Sequence, residues 1–125
     1  MSYPIKLISS LFYITAVYDG VLGIAFLLFP TSLLEAFKVA APHPGYIQFS
    51  AALLVIFALM FLSIARRPQR NRNLIPYGIL LKVSYCGVVF WYWVEGGIPF
   101  IWKPFAIFDA LFGLLFLWAY LQPVE

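Results

Sequence analysis

Four stretches of this chain stay predominantly apolar for about 20 residues each, the length a helix needs to cross a hydrocarbon core of about 30 Å. They cover about residues 5–29, 46–65, 74–94 and 103–121, by the same length criterion. None alternates apolar and polar residues as a lipid-facing barrel strand would. A helix satisfies its backbone hydrogen bonds internally, which lipid demands. Composition points the same way: 64% of the 125 residues are hydrophobic and 10% are charged. A soluble domain this small leaves too much surface in water to hide that much apolar area. The expected fold class is all-α: one polytopic membrane domain, a bundle of four transmembrane helices.

The first span is too long for the apolar region of a signal peptide, and the small residues of "KVAAP" come only after Glu35 and Lys38, so it is expected to remain in place. The connections carry turn chemistry. In "PTSLLEAFKVAAPHPGY", Thr31 or Ser32 can cap a short helix over about residues 32–38, with Glu35 in its first turn. Leu33, Leu34 and Phe37 would share its apolar side, laid along the membrane surface. Pro68 stops the second span, Pro76 opens the third, and Gly96 and Gly97 turn the chain into the fourth.

The loop "RRPQRNRN" holds Arg66, Arg67, Arg70 and Arg72, against only Lys38 and Lys103 in the two opposite loops. The positive-inside rule therefore puts this loop and both termini in the cytoplasm. Topology explains these charges, and no nucleic-acid partner is expected. Cys86 is the single cysteine and no CxxC exists, so disulfide exchange has no chemistry within the chain. His43 is the only histidine and lies in a loop, so neither a two-histidine haem nor a metal site is expected.

Three charges interrupt the apolar spans: Asp19 in the first, Lys82 in the third and Asp109 in the fourth. Each costs at least ~2.5–3.5 kcal/mol in lipid, so such residues face the bundle interior and pair. At 1.5 Å per residue, Asp19 and Asp109 both lie roughly 18–20 Å from the cytoplasmic end of their spans. The Cα of Lys82 lies about 11–12 Å from that end, within reach of the acids along its four-carbon stem. Tyr85 and Cys86 follow Lys82 on one helix face, and Thr15 lies one turn below Asp19. Tyr13, Tyr18 and Tyr92 can also turn inward. A polar cluster of Asp19, Lys82, Tyr85 and Asp109 is expected. With one lysine for two acids, the carboxyls can share a proton.

"AVYDGVLGIAFL" (residues 16–27) aligns without gaps on "AIFDALFGLLFL" (residues 106–117). Both contain D-x-x-x-G, which puts the acid and the glycine on one face a turn apart, and glycine lets membrane helices approach closely. Antiparallel packing of the first and fourth spans would set Asp19 opposite Gly113 and Asp109 opposite Gly23. Trp91, Trp93 and Trp102 fall at the outer boundary, as an aromatic belt or as the mouth of a pocket for a flat lipophile.

Four spans in 125 residues, a glycine-containing first span and the stretch "RNRNLIPYGILLKVSY" entering the third resemble the DoxX-like small bacterial membrane proteins. The resemblance covers most of the chain and is architectural. It implies a compact bundle in a bacterial inner membrane, of a kind that accompanies quinone-linked sulfur oxidation or thiol-redox systems as a membrane subunit. No catalytic residue carries over, and the lone Cys86 departs from a thiol-redox role.

Three functions remain open at this level. The first is a non-enzymatic accessory subunit or assembly factor docking on a protein partner, or a homo-oligomer. The second is a binding site for a quinone, a sterol-like molecule or a lipid, with Asp19 and Asp109 available as acid and base. The third is proton-linked transport, which would need an oligomer. No resident cofactor is expected, though a quinone or lipid ligand is compatible with the second.

Overall fold

In a computed structural model, which describes residues 4–40 and 43–123, the chain is helical with no strand among the described residues. Helix α1 spans Ile5–Leu28, α2 Pro30–Ala36, α3 Pro44–Arg66, α4 Ile75–Glu95 and α5 Trp102–Leu121, with a 3-10 turn at Arg72–Leu74 before α4. Four of these, α1, α3, α4 and α5, are long and apolar enough to cross a membrane. The protein is an integral membrane helical bundle.

Proline sets most of the boundaries. Pro30 and Pro44 sit in the first turns of α2 and α3, and Pro76 in that of α4, where a missing N–H costs nothing. Short α2 therefore starts at Pro30, earlier than a Thr31 or Ser32 cap would place it, and no side chain caps it. Leu34 is buried and Leu33 half-buried against Phe26, Ala51 and Ile47, so α2 closes one end of the α1/α3 pair. Phe37 lies outside that apolar side and is exposed, because the helix has already ended at Ala36.

Each spanning helix neighbours the next, and α5 returns beside α1 to complete a ring. Packing within the two hairpins is closer than between them. Glycine accounts for the closeness of α1 and α3. A Cβ on Gly23 would stand 2.9 Å from the Ala51 carbonyl oxygen and 2.9 Å from Val55 Cγ2. Hence Gly23 serves the α1–α3 contact and does not face Asp109. Gly113 faces α4, where an added Cβ would meet Lys82 Cβ at 3.4 Å. The mutual Asp–Gly pairing of the first and fourth spans is thus replaced by two separate contacts, because each glycine turns to its own hairpin partner.

The half of the bundle nearest the arginine loop is solid. Phe12 of α1 stacks on Phe116 of α5 at 4.6 Å, and Phe61 of α3 approaches Phe116 at 5.2 Å. Ile8, Ile64, Ala65, Ile75 and Ala119 complete this fully buried cluster. Beside it, the Ser9 hydroxyl donates to the Ala65 carbonyl at 2.6 Å, and the Arg72 guanidinium donates to the Tyr120 carbonyl while lying 4.4 Å from that ring. The other half is open, and there the site lies.

Candidate functional site: an acid-floored cavity between two hairpins

Lys82 crosses the ring. Its ammonium donates to Asp19 Oδ2 at 2.8 Å and Oδ1 at 3.1 Å on diagonal α1, and to Asp109 Oδ1 at 3.0 Å on neighbouring α5. Lys82 and Asp19 are each 1% exposed and Asp109 is 9% exposed. The stem points toward the acids and away from the headgroups of the arginine-loop side. Aromatic faces surround the ammonium: Phe61 and Phe112 at 5.6 Å and Tyr18 at 6.0 Å. A cation gains from the negative face of such rings, which partly replaces lost water.

One face of α4 forms a ladder of donors to α5. Lys82 reaches Asp109, the Cys86 thiol donates to the Ala106 carbonyl at 3.3 Å, and the Tyr85 hydroxyl donates to the Trp102 carbonyl at 3.1 Å. Spacing of three and four residues puts all three on one side of a helix. Tyr85 therefore stands next to the acids without bonding to them. Thr15 is buried, but its hydroxyl returns to the Leu11 carbonyl of its own helix. Tyr13 and Tyr92 face outward. Tyr18 turns inward, packs on Phe105, Phe108 and Phe112, and buries a hydroxyl with no partner among the described residues.

Above the acids, between the hairpins, lies a cavity of about 470 Å³. All four spanning helices line it, Asp19, Leu22 and Phe26 from α1, Ser50, Leu54 and Phe57 from α3, Tyr85 and Val89 from α4, Trp102, Phe105 and Asp109 from α5. The α3 lining runs from Ile47 to Phe57, a slot about 15 Å long at the helical rise. Asp19 and Asp109 form its inner end, and Trp102 and Ile98 flank its outer end. Where α1 meets α5, Phe105 lines the cavity and packs on Tyr18. Toward α3 and α4 the lining residues Ser50, Leu53 and Val88 are exposed, which makes a lateral mouth facing lipid.

Of the three tryptophans, Trp102 alone lines this cavity. Trp91 is exposed, and Trp93 stacks on Phe90 and lies 4.8 Å from the Lys103 ammonium. The apolar lining of α3 was not distinguishable in the sequence, because its residues are ordinary for a membrane span; Ser50 is its one polar signal. Comparison with protein-family models, curated proteins and solved structures gives no match.

Proposed function

We propose that this protein binds a lipophilic small molecule of the lipid, sterol-like or quinone class within the membrane, in the slot between the α1/α3 and α4/α5 hairpins. One observation carries the reading: a cavity of about 470 Å³, walled by apolar side chains of all four spans, ends on two carboxylates. Small-molecule sites have this form, roughly 300–1,000 Å³ of apolar wall with a few convergent polar groups. A bundle needing Asp19 and Asp109 only for helix register would pack them as tightly as the Phe12–Phe61–Phe116 half is packed. The lateral mouth lets a molecule dissolved in the bilayer enter without crossing water.

In this reading the arginine loop and both termini lie on the cytoplasmic side of a bacterial inner membrane, as the excess of Arg66, Arg67, Arg70 and Arg72 over Lys38 and Lys103 supports. The slot then occupies the outer half of the bilayer. The DoxX-like resemblance belongs to the same proposal and suits a small subunit that holds a lipophile for a larger system. Exposed Trp91, Tyr92 and Phe100 beside the α4–α5 turn favour a docking role for that end of the molecule.

The test is a cavity-filling variant. Leu54→Trp places an indole in the slot, and the folded protein should keep its helical circular-dichroism spectrum. Total membrane lipid added to the delipidated wild type should raise its unfolding midpoint, and the variant should not respond. An equal response of both proteins would refute the cavity as the binding site.

A further inference from the structure

The cavity's inner end is unbalanced in charge. Lys82 engages Asp19 through both carboxylate oxygens but Asp109 through Oδ1 alone, and no other hydrogen bond to the Asp109 carboxylate forms among the described residues. Asp109 is one of the two acids lining the cavity, whereas Lys82, 1% exposed, lies behind them. With the three groups ionised, one positive and two negative charges leave a net −1 in an apolar enclosure. An uncompensated charge there is costly, and an opposite charge placed against it is correspondingly favoured. The remaining polar groups of the wall offer no competing counter-charge: the Tyr85 hydroxyl is committed to the Trp102 carbonyl, and Ser50 is neutral.

We infer that the slot selects lipophiles with a cationic amine head, a single-chain alkylammonium being the simplest case, whose nitrogen donates to the free Oδ2 of Asp109 while the chain lies between Leu54, Phe57 and Val89. This rests on the cavity being a binding site and adds the chemistry of the head. The amine supplies the second cation that the Asp19–Lys82–Asp109 trio lacks. With Asp109 ionised, a ketone or quinone carbonyl, an acceptor only, would meet a carboxylate oxygen with no proton between them. A charge-assisted hydrogen bond is about twice as strong as a neutral one, so an alcohol of the same chain length binds more weakly than the amine.

The experiment uses the full chain in phosphatidylcholine nanodiscs and three probes of one chain length: decylamine, decanol and methyl decyl ketone. Thermal unfolding is followed as each is titrated, with concentrations corrected for partition into the lipid. Decylamine should half-saturate the protection at a concentration about tenfold lower than decanol, with the ketone weaker still. Asp109→Asn leaves the Asp19–Lys82 pair balanced and should erase the preference for the amine, whereas Asp109→Glu should retain it. Should Asp109→Asn fail to fold, the order of the three probes on the wild type decides. Decanol or the ketone matching decylamine overturns the inference and leaves the slot as a site for lipophiles. Protection by none of the three overturns both the inference and the proposed function.

Discussion

Replacing Lys82 with methionine removes the single cation shared by Asp19 and Asp109 while keeping an unbranched side chain of similar length. The ammonium makes contacts of 2.8 Å and 3.0 Å to two acids on two other helices, and all three groups lie in the interior. Breaking a buried pair by deleting one partner costs about 3–5 kcal/mol, since a charge is left without compensation. Two acids are stranded here, but they share one partner, so the penalties do not simply add. The expected loss is therefore about 3–5 kcal/mol, roughly two to three and a half orders of magnitude in the unfolding equilibrium. Equilibrium unfolding by SDS titration in mixed micelles, followed by tryptophan fluorescence, reads it directly. Combining Lys82→Met with Asp19→Leu and Asp109→Leu should restore stability to the wild-type value or above, because a well-packed apolar replacement avoids desolvating ions. A loss below about 1 kcal/mol for Lys82→Met alone would refute the argument, since that is the range of exposed pairs. A triple variant no more stable than the single one would refute it equally.

Gly23→Ala should destabilise by about 1–3 kcal/mol, since its Cβ meets the Ala51 backbone at 2.9 Å, while Gly113→Ala, with 3.4 Å to Lys82 Cβ, should be nearly neutral in the same titration. Phe116→Ala, at the centre of the aromatic cluster joining the hairpins, should cost about 3–5 kcal/mol. Topology is checked by single cysteines in a Cys86→Ser background, which keeps a donor to the Ala106 carbonyl. Cysteine at Arg70 should react with a membrane-impermeant maleimide only after the cytoplasmic face is opened, and cysteine at Lys38 should react in intact cells. The reverse pattern would invert the proposed orientation.

The spans were legible because their cause is local: length and hydropathy decide what lipid admits, and proline and glycine mark the ends. The three charges were legible for the same reason, each an exception to an apolar run. What the sequence hid is which face of each helix turns inward. A soluble helix advertises its inner face by contrast with a polar outer one, but here lipid-facing Val17, Val21, Leu59 and Leu114 are as apolar as buried Ile8 and Ile64. So the helical rise put Asp19 and Asp109 at matching depth, and both do reach Lys82, yet the repeated D-x-x-x-G gave no hint that Gly23 packs on α3 and Gly113 on α4. Likewise Tyr85 shares a face with Lys82 as its spacing requires, but its hydroxyl reaches the Trp102 carbonyl, a backbone group whose position depends on where α5 starts. The cavity is a property of how far two hairpins stand apart, which no single residue encodes.

If the slot above Asp19 and Asp109 is a binding site, a lipophile occupies it in the protein as extracted. Its most direct test is the native mass spectrum of the protein released from a mild detergent, recorded for the wild type and for Leu54→Trp. The wild-type chain should carry one added mass of small-molecule size, lost on collisional heating and absent from the variant. A wild type that flies as the bare chain, or a variant that carries the same added mass, would contradict it.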